Sequence, residues 1–288
     1  MMNPLFAFFL LIASLTAQAK DVIVAISPFQ SAEMLRSQVI ESLQFATSLN
    51  GGDRVRYLDA HEIKPLATLE IPTNSAYASP KARLKANIQA VAALMQFAAT
   101  ATVDTPPVPA AIRVPQLLRY VAQNAVREDS EQDKIDLVVV GSPLYADPAD
   151  AAYSMVGGLV PSDAHLQVSR SRSPYGALGR KDVLQSVRTH WAYGETLDLP
   201  SDRHAFMVER FWQLFVTVQG GDWVSYEPYL ASVLTRVKAN ASPLEGNHEL
   251  QVTDRLEMLR LPTSQESVSI FDRETTTLPL ASSFLAVP

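Results

Sequence analysis

The sequence predicts an α/β protein: three layers, doubly wound, with a mostly parallel central sheet covered by helices on both faces, and a short β-rich C-terminal extension. Three observations predict it. Residues 21–27 (DVIVAIS) and 135–140 (IDLVVV) are nearly unbroken β-branched runs, the pattern of strands buried on both faces of a parallel sheet. Between and after them, helical periodicity alternates with further strand-like runs, the order that strand-helix-strand crossovers generate. The 288 residues are 47% hydrophobic, enough for one large core.

The elements follow in chain order. Residues 21–27 open the domain as a central strand. From 31 to 49, Met34, Leu35, Gln38, Val39, Ser42, Leu43 and Ala46 share one helical stripe, and Asn50, Gly51 and Gly52 stop it. Residues 54–60 alternate Val55, Tyr57 and Asp59 against charged or small neighbours, and 67–71 follow Pro65 as an adjacent strand. Ser79 and Pro80 read as an N-cap and first-turn pair opening a helix to Ala99, with Leu84, Ile88, Val91, Ala92 and Met95 inward. The prolines at 106, 107 and 109 forbid a helix, and Pro115 starts the next one, with Leu117, Leu118, Val121, Ala122 and Ala125 on its stripe before a polar stop at 128–134. Strand 135–140 must be central. Residues 143–182 are weakly periodic and read as functional loops with at most short helices. A strand at 186–193, a helix at 202–219 ending in Gly220-Gly221, a short strand at 223–226 and a helix at 228–240 close the domain.

Composition excludes several chemistries. The chain has no cysteine, so disulfides, thiolate metal sites and thiol nucleophiles are absent. Neither glycine spacing of the phosphate-binding loops occurs among its 11 glycines. With 24 basic against 30 acidic residues, the net charge of −6 argues against a nucleic-acid partner. Residues 5–15 (LFAFFLLIASL) followed by Ala17-Gln18-Ala19 form a signal-peptide core with a small-x-small cleavage site, too short to span a bilayer. No lysine or arginine precedes that core, so the α-amino group supplies its positive end. The expected organisation is therefore a leader at 1–19, an α/β domain at 20–241 and an extension at 242–288, in a periplasmic or secreted protein with no integral membrane span after cleavage. In the extension, 249–261 and 267–271 look strand-like, and the apolar end at 278–288 favours docking over free disorder.

The succession of a buried strand, a long helix, two close strands, two helices, a central strand, a long loop, a strand, a helix ending in Gly-Gly, a short strand and a final helix resembles the von Willebrand factor type A domain. The resemblance covers residues 21–241. Its best local matches are VIVAIS at 22–27, LVVVG at 137–141 and QGGDWV at 219–224. It implies the layering of Rossmann-like sheets and a divalent cation at the carboxyl ends of the strands. The family's ligands are Asp-x-Ser-x-Ser after the first strand, a threonine from a middle loop and an aspartate after the fourth. On this chain the first motif falls on Ser27-Pro28-Phe29-Gln30-Ser31, where only Ser31 keeps the pattern, and Gly141-Ser142-Pro143 replaces the later acid. Hard cations need oxygen ligands that usually include carboxylate charge, so no metal ligand and no cofactor are assigned, with Asp147 or Asp163 as alternative sources of that charge.

The ligand-binding candidates are Ser27, Ser31, Ser142, Asp147, Asp163 and His165, which the topology brings toward the carboxyl ends of the first and fourth strands. The competing reading makes Ser27 and Ser31 helix caps and Ser142-Pro143 a strand terminator. A hydrolase built on Ser142, His165 and Asp163 is an alternative, but no Gly-x-Ser-x-Gly elbow surrounds Ser142, and no catalytic residue is assigned. In 190–195 (HWAYGE), alternation puts Trp191 and Tyr193 on one face, toward Phe211, Trp212 and Phe215, and His190 on the other. His61 and His204 lack a second ligand at zinc spacing and read as solvated. Arg170, Arg172, Arg180 and Lys181 form a basic loop suited to an acidic partner or simply to solvent. The expected function is an exported binding or scaffold module whose partner is another exported or envelope protein. A small-ligand binder, or an adhesion domain with atypical metal ligands, is the alternative.

Overall fold

The computed structural model describes residues 19–99, 112–124, 134–194, 199–246, 249–253 and 255–262. The apolar segment at 1–18, the proline-rich connector, the polar stop at 128–133 and the strand expected at 267–271 lie outside these residues. In chain order the elements are β1 (Asp21–Ile26), α1 (Ala32–Thr47), β2 (Arg54–Asp59), β3 (Lys64–Glu70), α2 (Pro80–Ala86), α3 (Ile88–Ala99), α4 (Val114–Asn124), β4 (Ile135–Val140), β5 (Leu159–Pro161), β6 (Val187–Ala192), α5 (Asp202–Thr217), β7 (Asp222–Glu227), α6 (Leu230–Lys238) and β8 (Met258–Arg260).

Six strands form the main sheet in the order β3-β2-β1-β4-β6-β7. All its pairings are parallel except β2 with β3. Alternation along each strand feeds two separate cores, as period-two geometry requires. Val22, Val24, Ile26, Val138 and Val140 face α1, α3 and α6, whereas Ile23, Ala25, Leu137, Val139 and Trp191 face α4 and α5. The fold is therefore the three-layer, mostly parallel α/β arrangement, with the layering of Rossmann-like sheets. The chain leaves β1 for one face through α1 and reaches β4 from the other through α4, so the topological switch point lies between β1 and β4.

Local departures from the sequence reading have identifiable causes. The single helix expected from Pro80 to Ala99 breaks at Asn87, whose side-chain amide donates to the Glu70 carbonyl at 3.0 Å and accepts from the Glu70 N–H at 3.1 Å. Asn87 thus satisfies the edge strand β3 as a neighbouring strand would, and the helix restarts in a different phase. Leu94, Phe97 and Ala98 are buried, while Ile88, expected inside, is 62% exposed. β3 also starts at Lys64, three residues before the expected Ala67, taking in Pro65 through a bulge opposite Leu58. An edge strand tolerates a proline that a central strand would not. His204 is buried, not solvated, and its Nε2 lies 3.2 Å from the Leu159 carbonyl.

The extension adds strand to the domain. β8 pairs antiparallel with β5, and the Ser162 hydroxyl donates to the Arg255 carbonyl at 2.7 Å. Residues 143–182 otherwise hold only 3-10 turns, at Pro148–Tyr153 and Asp163–Gln167.

Candidate functional site

At the carboxyl edge of the switch point, the three predicted serines are engaged with backbone. The Ser27 hydroxyl accepts the Phe29 N–H at 3.3 Å, Ser31 caps α1 by accepting the Met34 N–H at 3.1 Å, and Ser142 accepts the Leu144 N–H at 3.3 Å. These are the local solutions that serine offers at element ends. Gly141 is held against Ser27 and Ile112: a Cβ there would stand 2.8 Å from the Ser27 Cβ and 2.9 Å from the Ile112 Cδ1. Two indoles fix the same loop from below, Trp191 donating to the Gly141 carbonyl at 2.8 Å and Trp212 to the Pro143 carbonyl at 2.7 Å. Ile112 thereby packs against Gly141, and the two indoles tie the loop beneath. Asp147, also buried, accepts the Ala149 N–H at 3.0 Å and lies 3.2 Å from the Arg113 Nε.

Asp163 and His165 lie in the turn that receives the C-terminal segment. Asp163 is 6% exposed and accepts both guanidinium nitrogens of Arg210, at 2.8 and 2.7 Å, together with the Gln251 N–H at 2.7 Å. Arg210 also donates to the Glu249 carbonyl at 2.9 Å. His165 Nδ1 is 2.9 Å from the Ser173 hydroxyl, and its ring lies edge-on to Tyr153 and Tyr175. Burial lowers its pKa. Ser142, His165 and Asp163 are thus each bonded elsewhere and form no connected relay. Asp163 works as a clamp on the extension.

A relay does exist inside the sheet, where no local motif announces it. His190 on β6 lies 3.0 Å through Nε2 from Asp136 on β4 and 2.9 Å through Nδ1 from the Ser225 hydroxyl on β7. Burial lowers the His190 pKa against the raising effect of Asp136. Burial alone would raise the Asp136 carboxyl, but its hydrogen bond from His190 and the charges of Lys20 and Arg188 outweigh it, and the net shift is downward. The assignment that satisfies every group has Nε2–H donating to Asp136 and the Ser225 hydroxyl donating to Nδ1. The connectivity matches a hydrolytic triad, but Ser225 is 1% exposed in mid-strand, closed to any substrate carbonyl. Its role is to satisfy polar groups within a buried sheet.

The Asp136 end of this relay meets a cleft of about 720 Å³ at the amino edge of the sheet. Lys20 Nζ stands 3.0 Å from Asp136, and Arg188 pairs with Asp136 at 3.4 Å while bonding Asn240 and the Ala241 carbonyl. Lys134 pairs with Asp222 at 2.5 Å. Sequence reasoning passed over this edge, although Asp136 is the one acid in an otherwise apolar strand.

A second charged feature lies on the outside of α4. Burial, followed by the charges of Arg170 and Arg180, lowers the Arg119 guanidinium to about 10. The basic loop seen in the sequence therefore lies close enough to α4 to repel a fourth arginine. Among the described residues, Arg119, Arg170, Arg172 and Arg180 have no ion pair. No three His, Asp or Glu side chains among the described residues gather as a metal site, and no helix among them is long and apolar enough to cross a membrane.

No protein family profile matches the chain, and no curated protein matches its sequence.

Proposed function

We propose that the chain is an exported, von Willebrand A-like module that binds the acidic surface of another exported or envelope protein without requiring a metal ion. The observation that carries the reading is the arginine group around Arg119. The half-buried Arg119 guanidinium is disfavoured by its burial and by the charges of Arg170 and Arg180, which Asp150 only partly offsets, and a partner's carboxylates relieve that cost on association. The carboxyl edge speaks against a catalytic role for these residues, because Ser31 is engaged as a cap, Ser27 and Ser142 are engaged in local turns, and Asp163 is committed to Arg210. The element order of the sheet and the leader-like residues 1–19 carry the family and export parts of the proposal.

Crosslinking in intact cells tests it. The expected result is a discrete adduct that is lost with Arg170→Glu and kept with Lys85→Glu, an exposed charge on α2. Its capture should weaken with salt, since surface charge pairs are screened over about 8–10 Å at physiological ionic strength. Recovery of both variants and the parent only as unpartnered monomer overturns the proposal.

A further inference from the structure

The amino-edge cleft contains a buried carboxylate that has no cationic partner among the described residues. Asp53 is 3% exposed, directly after the Gly51-Gly52 turn. Its Oδ1 accepts the backbone N–H of Lys20 at 2.8 Å, and its Oδ2 accepts the Asn50 N–H at 2.8 Å. Among the described residues it has no ion pair. The other acids of the cleft are matched, Asp136 by Lys20 and Arg188 and Asp222 by Lys134, while Lys238 donates to the Ser48 hydroxyl. The backbone nitrogen of Lys20 is held from both sides: the Lys20 carbonyl accepts the Arg54 N–H at 2.8 Å, and its ammonium reaches Asp136 and the Val237 carbonyl. The preceding residue, Ala19, is exposed at the rim.

We infer that Asp53 is the receptor for a new chain terminus: hydrolysis of the Ala19–Lys20 bond places the α-ammonium of Lys20 on this carboxylate and completes the fold. The inference rests on the export reading above. In the step, the amide C–N bond breaks, water supplies hydroxyl to the Ala19 carbonyl carbon and a proton to the Lys20 nitrogen, and that nitrogen takes up a further proton from solvent. The agent is an endopeptidase that cleaves after small-x-small sequences. The nitrogen need not move, because it already lies at hydrogen-bond distance from Asp53. A neutral amide donor becomes a charged one facing a buried carboxylate, and charge-assisted bonds are about twice as strong as neutral ones.

Intact mass of the protein recovered from the exported fraction reads the processing, and a mass that does not correspond to Lys20 as first residue refutes this cleavage. The receptor is tested separately with two chains made by removing a cleavable fusion, one starting at Lys20 and one at Gln18, each with Asp53 and with Asp53→Asn. The Lys20 chain should have an unfolding equilibrium constant about tenfold smaller than the Gln18 chain. Its α-amino pKa should lie about one unit above the usual 7.7–8.0, the shift that a tenfold preference requires. Because the folded pKa is raised, the gain is full below pH about 7.7 and disappears as pH rises through the folded value. Asp53→Asn should abolish the difference between the two chains. Equal stability of the two Asp53 chains, or a difference that survives Asp53→Asn, overturns the receptor. Should Asp53→Asn fail to fold, the α-amino pKa of the Lys20 chain decides, an unshifted value refuting the pairing.

Discussion

Replacing Asp163 by Asn separates a structural clamp from a ligand-binding carboxylate. The substitution keeps the shape and removes the charge that receives two hydrogen bonds from Arg210 and one from the Gln251 N–H. The side chains of Arg210 and Asp163 are 9% and 6% exposed, so solvent does little to screen the pair or to rescue the guanidinium left behind. Arg210 would keep the Glu249 carbonyl and one amide oxygen as acceptors, while its other guanidinium nitrogen would face an NH2 that cannot accept. Removing one partner of a buried pair costs about 3–5 kcal/mol. That is a large share of the roughly 5–15 kcal/mol that holds a typical domain together. Urea unfolding followed by circular dichroism should show the loss as a lower midpoint. Hydrogen exchange should show residues 249–261 opening first, since Asp163 and Ser162 tie that segment to the domain. Changing both partners, Asp163→Leu with Arg210→Met, should recover much of the loss by leaving no unpaired charge. A cost below about 1 kcal/mol for Asp163→Asn, with unchanged exchange at 249–261, would refute the clamp. So would a double variant as unstable as the single one.

Three further outcomes follow from the same geometry. Burial lowers the pKa of His165, His190 and His204, so the unfolded chain binds more protons than the folded one below pH about 6.5; stability should hold above that pH and fall beneath it, by up to about 1.4 kcal/mol per pH unit for each histidine, and a flat urea midpoint from pH 7 to pH 5 would contradict this. Gly220 and Gly179 both have positive φ, of 83° and 76°, but a Cβ at Gly220 would stand 2.6 Å from the Lys181 carbonyl oxygen whereas one at Gly179 meets nothing within 4 Å. Gly179→Ala should therefore cost about 1–2 kcal/mol and Gly220→Ala clearly more, compared by denaturant midpoint. Ser27→Asp restores the first carboxylate of the adhesion motif at a position only 3% exposed; it should destabilise the protein by about 1–3 kcal/mol, and neither it nor the parent should gain melting temperature with magnesium or manganese, a gain in the parent being the result that sinks metal independence.

The sheet was largely legible because its informative residues are local. DVIVAI and IDLVVV carry their burial in their own composition, and Leu35, Val39, Leu43 and Ala46 announce the inner face of α1 by spacing alone. What escaped depends on partners distant in sequence. Nothing in the helical pattern around Asn87 shows that its amide will serve Glu70, 17 residues earlier. β5 and β8 have three residues each, too few for a period, and Leu159 pairs with Arg260, more than a third of the chain away. The same division holds for the candidate site. Ser27, expected to cap α1, instead accepts the Phe29 N–H in a turn before the helix, whereas the cap made by Ser31 and the strand-ending turn at Ser142 were among the readings available, because each bond is made within three residues. The commitment of Asp163 was not, although Arg210 beside Phe211 and Trp212 in a buried stretch of α5 is a signal that an acid must be found for it.

The distribution of polar groups along the sheet bears on where this protein can act. In open parallel sheets the carboxyl edge is the usual ligand site because chain reversals there leave backbone donors and a crevice at the switch point. Here Ile112 packs against Gly141, the loop beneath it is tied by Trp191 and Trp212, and the first turn of α1 is capped by its own Ser31. A cluster of buried charge stands at the other edge, where Asp53 and Asp136 receive Lys20 just as the chain enters β1. Charge buried there at a desolvation cost serves the chain itself, fixing its entry and joining β4, β6 and β7 through His190. The arginines on and beside α4, which have no ion pair among the described residues and only the charge of Asp150 acting against them at Arg119, are where the proposed acidic partner would bind.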